Sequence, residues 1–562
     1  MNLILREYVA MLREREELDA LLPDLLASMN MEVVSLPQRG VRQGGVDIMA
    51  IGSDPEDRNE RAVWLFVVKM GPIGRAQWDG DPQTVRPSLV ETLEVFIPHR
   101  IIPMFSRLPI RIVVCLNDQV RQEVAENVAS FFDKYTEPGK LEFQIWNLET
   151  LCSLVEKYLL NEYVLRSDNR ALLRKAVALV GDNDYDMSHF YQLLESLLFA
   201  AQETPHTVKQ KIRGIKKSFR TVNLCLNILY HWAQVEGNLR LVVLAAERCL
   251  LRGWDLLRRQ PQPVTKAAVE DYERIVMSYR SIMASYFTKL RDHLSIKDGL
   301  FAGSLAEEPE YSLRVFEVIG QISMAGMVEL NLSNGGKDAN VLANVHGAAD
   351  MLESVIAKNS ISGSPRYDEH QIEVSLGFLL LLTASRREGA RNWMHNLIRR
   401  IDFAFRFMGH HYPIKTDSYD DLVESVHSGK KEKFELMSLS TLLPTLAYWC
   451  LVFGWEEEYA ELRESTRSTF EKTDLQIWYP DSNVENFIYQ GNALRMCGLM
   501  NTGIELPENM QELIQIENKI AEHAYDSKNL SFVKNGLPVI GLFASRHFRT
   551  PVMPFYWLSL VT

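Results

Sequence analysis

Gly40-Val41-Arg42-Gln43-Gly44-Gly45-Val46-Asp47-Ile48-Met49-Ala50, a polar excursion from Ser53 to Arg61, and Val63-Trp64-Leu65-Phe66-Val67-Val68-Lys69-Met70 form the stretch from which the fold is read. Asp47 is the only charge in the apolar run Val46 to Ile51, and Lys69 is the only charge in the run Val63 to Met70. Runs of this length and β-branched content predict two neighbouring strands covered on both faces. A lone charge in such a strand needs a reason. A carboxylate and an ammonium meeting at the mouth of a sheet can hold a divalent cation and steady the charge on a reacting phosphate. They can equally form a structural ion pair on which no chemistry depends, and the spacing alone does not choose.

Gly45-Val46-Asp47-Ile48, followed some twenty residues later by Val67-Val68-Lys69, resembles the PD-(D/E)xK restriction-endonuclease-like superfamily, in particular its Mrr-like branch. The helical stretch Leu18 to Asn30 is similar to the helix that opens those domains. Asp19 matches the acidic residue that points towards the metal, and Asn30 stands where a helix-ending glycine is usual, a residue that also tolerates the left-handed conformation. The resemblance implies Asp47 and Asp19 as ligands of Mg²⁺ or Mn²⁺ and Lys69 as the group that stabilises developing charge or orients the attacking water. Gln43 is a candidate phosphate contact, with Arg39, Arg42 and Arg75 in the adjoining loops as further candidate contacts to nucleic acid. The chain departs from the pattern at Val67: the superfamily carries Glu, or Gln in the Mrr-like branch, two residues before the lysine. Valine offers no oxygen to a metal.

The order of elements expected over residues 1–165 is helix, three strands, helix, strand, helix, strand, helix, which suits a small mixed sheet with helices on both faces. The strands are read at Glu32 to Leu36, Val46 to Ile51, Val63 to Met70, Ile110 to Leu116 and Leu141 to Trp146. Residues 3–29 read as helical, with Pro23 starting a second segment or kinking a single one. Asn117-Asp118 reads as the cap of a helix ending near Tyr135. Asp79 and Asp81, in the Gly- and Pro-rich segment after Lys69, are turn carboxylates in the first instance and relocated metal ligands in the second. Cys115, inside an apolar run, reads as a core side chain.

From Arg166 onward β-branched runs give way to apolar residues at three and four spacing, and everything after this point reads as helical. The fold class expected is therefore an α/β restriction-endonuclease-like domain followed by a large all-α region, arranged either as a solenoid of paired helices or as two irregular helical domains. The domains expected are 1–165, 166–360 and 361–562. Asn334-Gly335-Gly336-Lys337 lacks the spacing of a phosphate-binding loop and reads as a turn. His410-His411 reads as a helix end, and the aromatic terminus Phe548 to Trp557 as buried surface or a subunit contact. Lys209, Lys211, Arg213, Lys216, Lys217 and Arg220 form the densest basic run, a solvated helix face or a contact for nucleic acid or an acidic partner.

Composition bounds the function. With 562 residues, 46% hydrophobic and 24% charged, the chain is long enough for several ordinary cores and has none of the bias of a disordered protein. It has no uninterrupted apolar run of membrane-spanning length and no signal-like start, so no membrane association and a cytoplasmic location are expected. Six scattered cysteines without a Cys-x-x-Cys pair argue against zinc and against a disulfide framework. Residues 1–165 carry 17 Lys and Arg against 25 Asp and Glu, and the remainder 44 against 48. Non-specific affinity for DNA comes mostly from phosphate neutralisation, so such binding would rest on a local basic patch, a metal or a partner subunit.

Two functions follow. The first, implied by the resemblance, is a metal-dependent DNA endonuclease whose helical region senses or assembles; its role as an effector of bacterial genome or anti-phage defence rests on the resemblance alone. The second, favoured by Val67 and the acidic amino-terminal domain, is a catalytically degenerate pseudo-nuclease serving as a nucleic-acid-binding or assembly subunit alongside partner proteins or further copies of itself.

Overall fold

The computed structural model describes residues 2–35, 44–53, 61–159, 167–199, 207–301, 308–332, 339–406, 412–428, 437–490, 498–522 and 525–550. The chain divides into two compact units, one formed by Met1–Ala245 with Lys266–Arg274, the other by Ala246–Thr265 with Ile275–Thr562. The boundaries expected at 165/166 and 360/361 fall inside the first and the second unit, respectively.

The first unit holds a five-stranded mixed sheet in the order β1 (Glu32–Ser35), β2 (Ile48–Ser53), β3 (Arg61–Lys69), β4 (Ile110–Leu116) and β5 (Leu141–Trp146). β1, β2 and β3 pair antiparallel, and β3, β4 and β5 parallel. The helices are α1 (Asn2–Met11), α2 (Asp19–Ser28), α3 (Arg75–Asp79), α4 (Val85–Glu91), α5 (Ile97–Arg100), α6 (Gln122–Tyr135) and α7 (Leu148–Leu154). β3 is buried on both faces because its alternating residues serve two cores. Val63, Leu65 and Val67 pack with Ile112, Val114, Trp78, Leu89, Val124 and Phe131. Trp64 and Phe66 meet Trp146, with ring centroids 6.2 and 5.1 Å apart.

The helical stretch expected over residues 3–29 breaks at Leu12 and Arg13 and resumes in a π-helical turn, Glu14–Leu18, that leads into α2. Pro23 lies inside α2, so it is not the break. Asn117, expected as the cap of α6, does something else. Its amide nitrogen donates to the carbonyls of Val9, Ala10 and Leu12 at 3.3, 3.1 and 2.7 Å, which satisfies the last turn of α1 and fixes where that helix ends. Its oxygen accepts from the Gly71 amide at 2.8 Å. α6 instead starts after Arg121, whose side chain makes no capping bond.

The unit continues through α8 (Ser167–Leu179), α9 (Ser188–Phe199) and α10 (Val208–Glu236), then into the long helices α11 (Leu239–Arg258) and α12 (Gln262–Ser295), within which the division of units falls. The reason the unit reaches past residue 165 is ionic as well as apolar. Asp24 of α2 is paired with Arg274 of α12 and lies 3.9 Å from Arg220 of α10, while Asp271, 2% exposed, takes Arg220 at 2.7 Å and Lys216 at 3.6 Å. The Thr221 hydroxyl adds a bond to the Leu159 carbonyl at 2.9 Å.

In the second unit α13 (Glu308–Leu332) packs against α14 (Ala339–Lys358) and α15 (Gln371–Thr383), and α16 (Arg387–Arg406) lies beside the helix Glu456–Ser468. Residues Pro309–Leu332 are long and apolar enough to cross a membrane, but 67% of that apolar window is buried inside the protein, as befits a core helix. Buried carboxylates here carry paired cations, as burial of charge requires. Asp255 holds Arg252, Arg258 and Arg259, Glu247 holds Arg546, and Glu373 holds Arg549. Asp368 accepts from Ser440, Thr441 and Leu442 and so caps the helix Leu442–Phe453.

The expectation of an all-α region after residue 166 is corrected: Leu439–Ser440 pairs with Asp474–Leu475 and Ile477–Pro480 with Gly498–Asn501, giving two two-stranded sheets in a largely helical unit. Pro261-Gln262-Pro263 opens α12, where a proline costs no hydrogen bond. The features expected at Asn334-Gly335-Gly336-Lys337, His410-His411, most of the Ser53 to Arg61 excursion and residues 551–557 lie outside the described residues.

Replacing Asp271 with alanine strands Lys216 and weakens the hold on Arg220, so a loss of about 3–5 kcal/mol is expected in denaturant unfolding, as for other broken buried pairs. A loss under about 1 kcal/mol would show that the junction is only a surface contact.

Candidate functional site at the sheet corner

Asp47 sits just before β2 rather than within it. Its amide donates to the Phe66 carbonyl at 2.9 Å, and its Oδ2 accepts from the Val68 amide at 2.7 Å. The carboxylate thereby takes the ladder position a further strand residue would have filled, a charge-assisted bond in place of a neutral one. Gly44 and Gly45 make this possible. Both adopt left-handed conformations, at φ 71° and 81°, and a Cβ on Gly45 would lie 2.1 Å from the Ser88 carbonyl oxygen of α4. Only a glycine lets the chain pass this close to α4 and turn into the sheet.

Lys69 is the last residue of β3, opposite Leu116 of β4, and is partly exposed. Among the described residues no ion pair links it to Asp47, so the simple cross-strand pair does not describe the arrangement. Burial pushes the Asp47 carboxyl up to about 6; the Val68 amide and the Lys69 charge pull it down, and Glu14 and Asp19 raise it. Asp19, the first residue of α2, thus shares the field of Asp47. Glu14, in the π-helical turn, acts on Asp47 alongside it. Nothing in the sequence singled Glu14 out, since it stands in the run Arg13-Glu14-Arg15-Glu16-Glu17, where every position is charged.

Val67, at the position where the resemblance calls for Glu or Gln, is 0% exposed within the sheet core. Among the described residues no group of three or more His, Cys, Asp and Glu side chains is gathered so that it could hold a metal ion. One Asp47 oxygen is committed to a backbone amide. The pair implied for Mg²⁺ or Mn²⁺, Asp47 and Asp19, is therefore not part of a larger ligand cluster among the described residues. Asp79 and Asp81 do not supply the deficit: Asp79 is paired with Arg86, and Asp81 accepts from the Gln83 amide at 2.8 Å in a turn. Arg75 is exposed in the first turn of α3. Arg39, Arg42 and Gln43 lie outside the described residues. Cys115 is a buried core residue whose thiol burial pushes up, with Asp47 adding to the effect.

Compared with protein-family models, with curated proteins and with solved structures, the chain matches none.

The raised Asp47 pKa has a stability consequence. The folded state favours the neutral acid, so this group costs nothing below the ordinary value of 3.8, and the cost grows as pH rises towards about 6. Above that it amounts to about 3 kcal/mol at 1.36 kcal/mol per pH unit. Asp47→Asn keeps an acceptor for the Val68 amide without the charge. Its stability relative to the native chain is expected to climb between pH 4 and pH 6 and to level off above, by about 1–3 kcal/mol, in unfolding curves taken across that range. A variant less stable than the native chain at pH 7 would contradict the assignment.

Gly45→Ala is expected to cost more than the about 1–2 kcal/mol of an alanine forced into the left-handed region. Gly71→Ala serves as the comparison, because Gly71 has φ 75° with nothing within 4 Å of its Cβ direction. Equal losses in the two variants would show that α4 yields freely.

Proposed function

We propose that the first unit is a restriction-endonuclease-like domain that does not cut, and that the chain serves as a nucleic-acid-binding and assembly subunit of a multi-protein genome or anti-phage defence system. The observation that carries this reading is the side chain at position 67. A fully buried valine stands where a second oxygen ligand is required. The Asp47 carboxylate supports it, since one of its oxygens is taken by the sheet itself. Without an oxygen at position 67, a cation that would lower the pKa of an attacking water loses one of its ligands. Lys69, at the end of β3, keeps its charge near the corner and can contact an anion without catalysing its displacement. Catalysis, on this reading, belongs to a partner subunit.

The metal-dependent endonuclease is the second reading, and it has one observation in its favour. Glu14 and Asp19 both raise the Asp47 pKa, so three carboxylates share one field that a cation would relieve.

The purified chain, with Asp47→Ala and Lys69→Ala beside it, is expected to leave plasmid and linear DNA intact in Mg²⁺ and in Mn²⁺. Cutting by the native chain that both substitutions abolish would overturn the proposal and make Val67 a tolerated replacement in an active site.

A further inference from the structure

The basic run that opens α10 is divided by the structure into two halves with different partners. Lys209, Arg213, Lys216 and Arg220 follow one another at spacings of four, three and four, and so share one face of the helix. The second half of that face is occupied: Lys216 and Arg220 reach Asp271 at 3.6 and 2.7 Å, and Arg220 lies 3.9 Å from Asp24. Phe219 meets Tyr272 at a centroid distance of 5.9 Å, so α12 runs alongside α10 here. The first half of the face emerges from this junction with Lys209 and Arg213 exposed; Lys211, two residues from each, lies off this face and is partly exposed. Along its whole length α10 has a single carboxylate, Glu236, at its far end. The first turn is firmly built, because the Thr207 hydroxyl accepts from the Gln210 amide at 3.2 Å and the Gln210 side chain returns a bond to the Thr207 amide at 3.1 Å. The positive end of the helix dipole adds to the same field. Lys266, exposed on α12 five residues before Asp271, carries a further positive charge on the helix alongside.

We propose that the emergent start of α10, with Lys209 and Arg213 on this face and Lys211 beside it, is the surface on which the phosphate backbone of a nucleic acid docks. The inference deepens the binding role proposed above and rests on it. In a chain with a net charge of −12, phosphates need a local concentration of cations that is not already neutralised. The run meets that need because its rear cations are tied into the fold and hold the helix still, while its front cations face outward. Contacts of this kind read no base sequence, so the surface fixes affinity and orientation and leaves sequence choice to other parts of the assembly.

The test is fluorescence anisotropy of a labelled DNA duplex of about 30 base pairs with the full chain, in EDTA, over a series of KCl concentrations. Binding with a log–log salt slope of about −3 is expected from three phosphate contacts. Lys209→Ala combined with Arg213→Ala is expected to weaken binding at least about tenfold at low salt and to reduce the slope by about 2, since each lost phosphate contact removes about one unit. Lys528→Ala, at an exposed lysine of the second unit, is expected to change nothing. Thermal unfolding of the double variant should match that of the native chain, because neither residue belongs to the Asp271 junction. Native-like binding by the folded double variant overturns the proposal, as does a native chain that binds no duplex, a result that would turn the face towards an acidic protein. Cutting in Mg²⁺ is read separately, so a chain that cuts sinks the non-cutting reading alone, and a double variant that binds normally sinks the docking surface alone.

Discussion

The hydrogen bond from the Val68 amide to the Asp47 carboxylate is the contact on which the geometry of the sheet corner depends. β3 is central in the sheet and its backbone must be paired along its length. β2 ends two residues short of Val68's partner position, residue 46, and the Asp47 side chain completes the ladder. For that to happen the chain must come in against α4 at Gly45 and turn into the sheet at once, which only a left-handed glycine pair allows. Gly44, Gly45 and Asp47 are thus one device, with the glycines setting the approach and the carboxylate ending it.

A carboxylate used this way is costly, because burial raises its pKa and two further acids stand nearby. The charge-assisted bond and the Lys69 field offset part of that cost. The rest is carried by a unit much larger than the sheet. α2, which begins at Asp19, is held at Asp24 by Arg274 and Arg220, and these residues come from helices beyond position 165. The sheet and the helices α8 to α10 therefore belong to one compact unit, with the segment Lys266–Arg274 included.

Much of this was legible in the sequence because it is local and periodic. The five strands, the covered character of β3 and the isolation of Asp47 and Lys69 follow from apolar runs with one charge each. What escaped the sequence depends on partners far along the chain. Pro23 drew the helix break to itself, whereas the break falls at Leu12, where Asn117 gathers the carbonyls of α1 from over a hundred residues away. Glu14 was hidden in a run where every position is charged. The basic run of α10 read as uniform because the acids that divide it, Asp24 and Asp271, lie on other helices. The short strands near residues 440, 475 and 500 are two to four residues long, too short for a period of two to stand out against helical surroundings. Val67 was the informative departure, and its complete burial gives the departure its physical meaning.

The proposal that Asp47 serves the sheet as a backbone clip and does not serve a metal as a ligand is tested most directly by titrating its carboxyl carbon by NMR in the full chain with and without Mg²⁺. An apparent pKa near 6 that Mg²⁺ leaves unchanged is the result expected. A pKa that falls by more than about one unit when Mg²⁺ is added would mean that the cation binds the charged form, and would contradict the account.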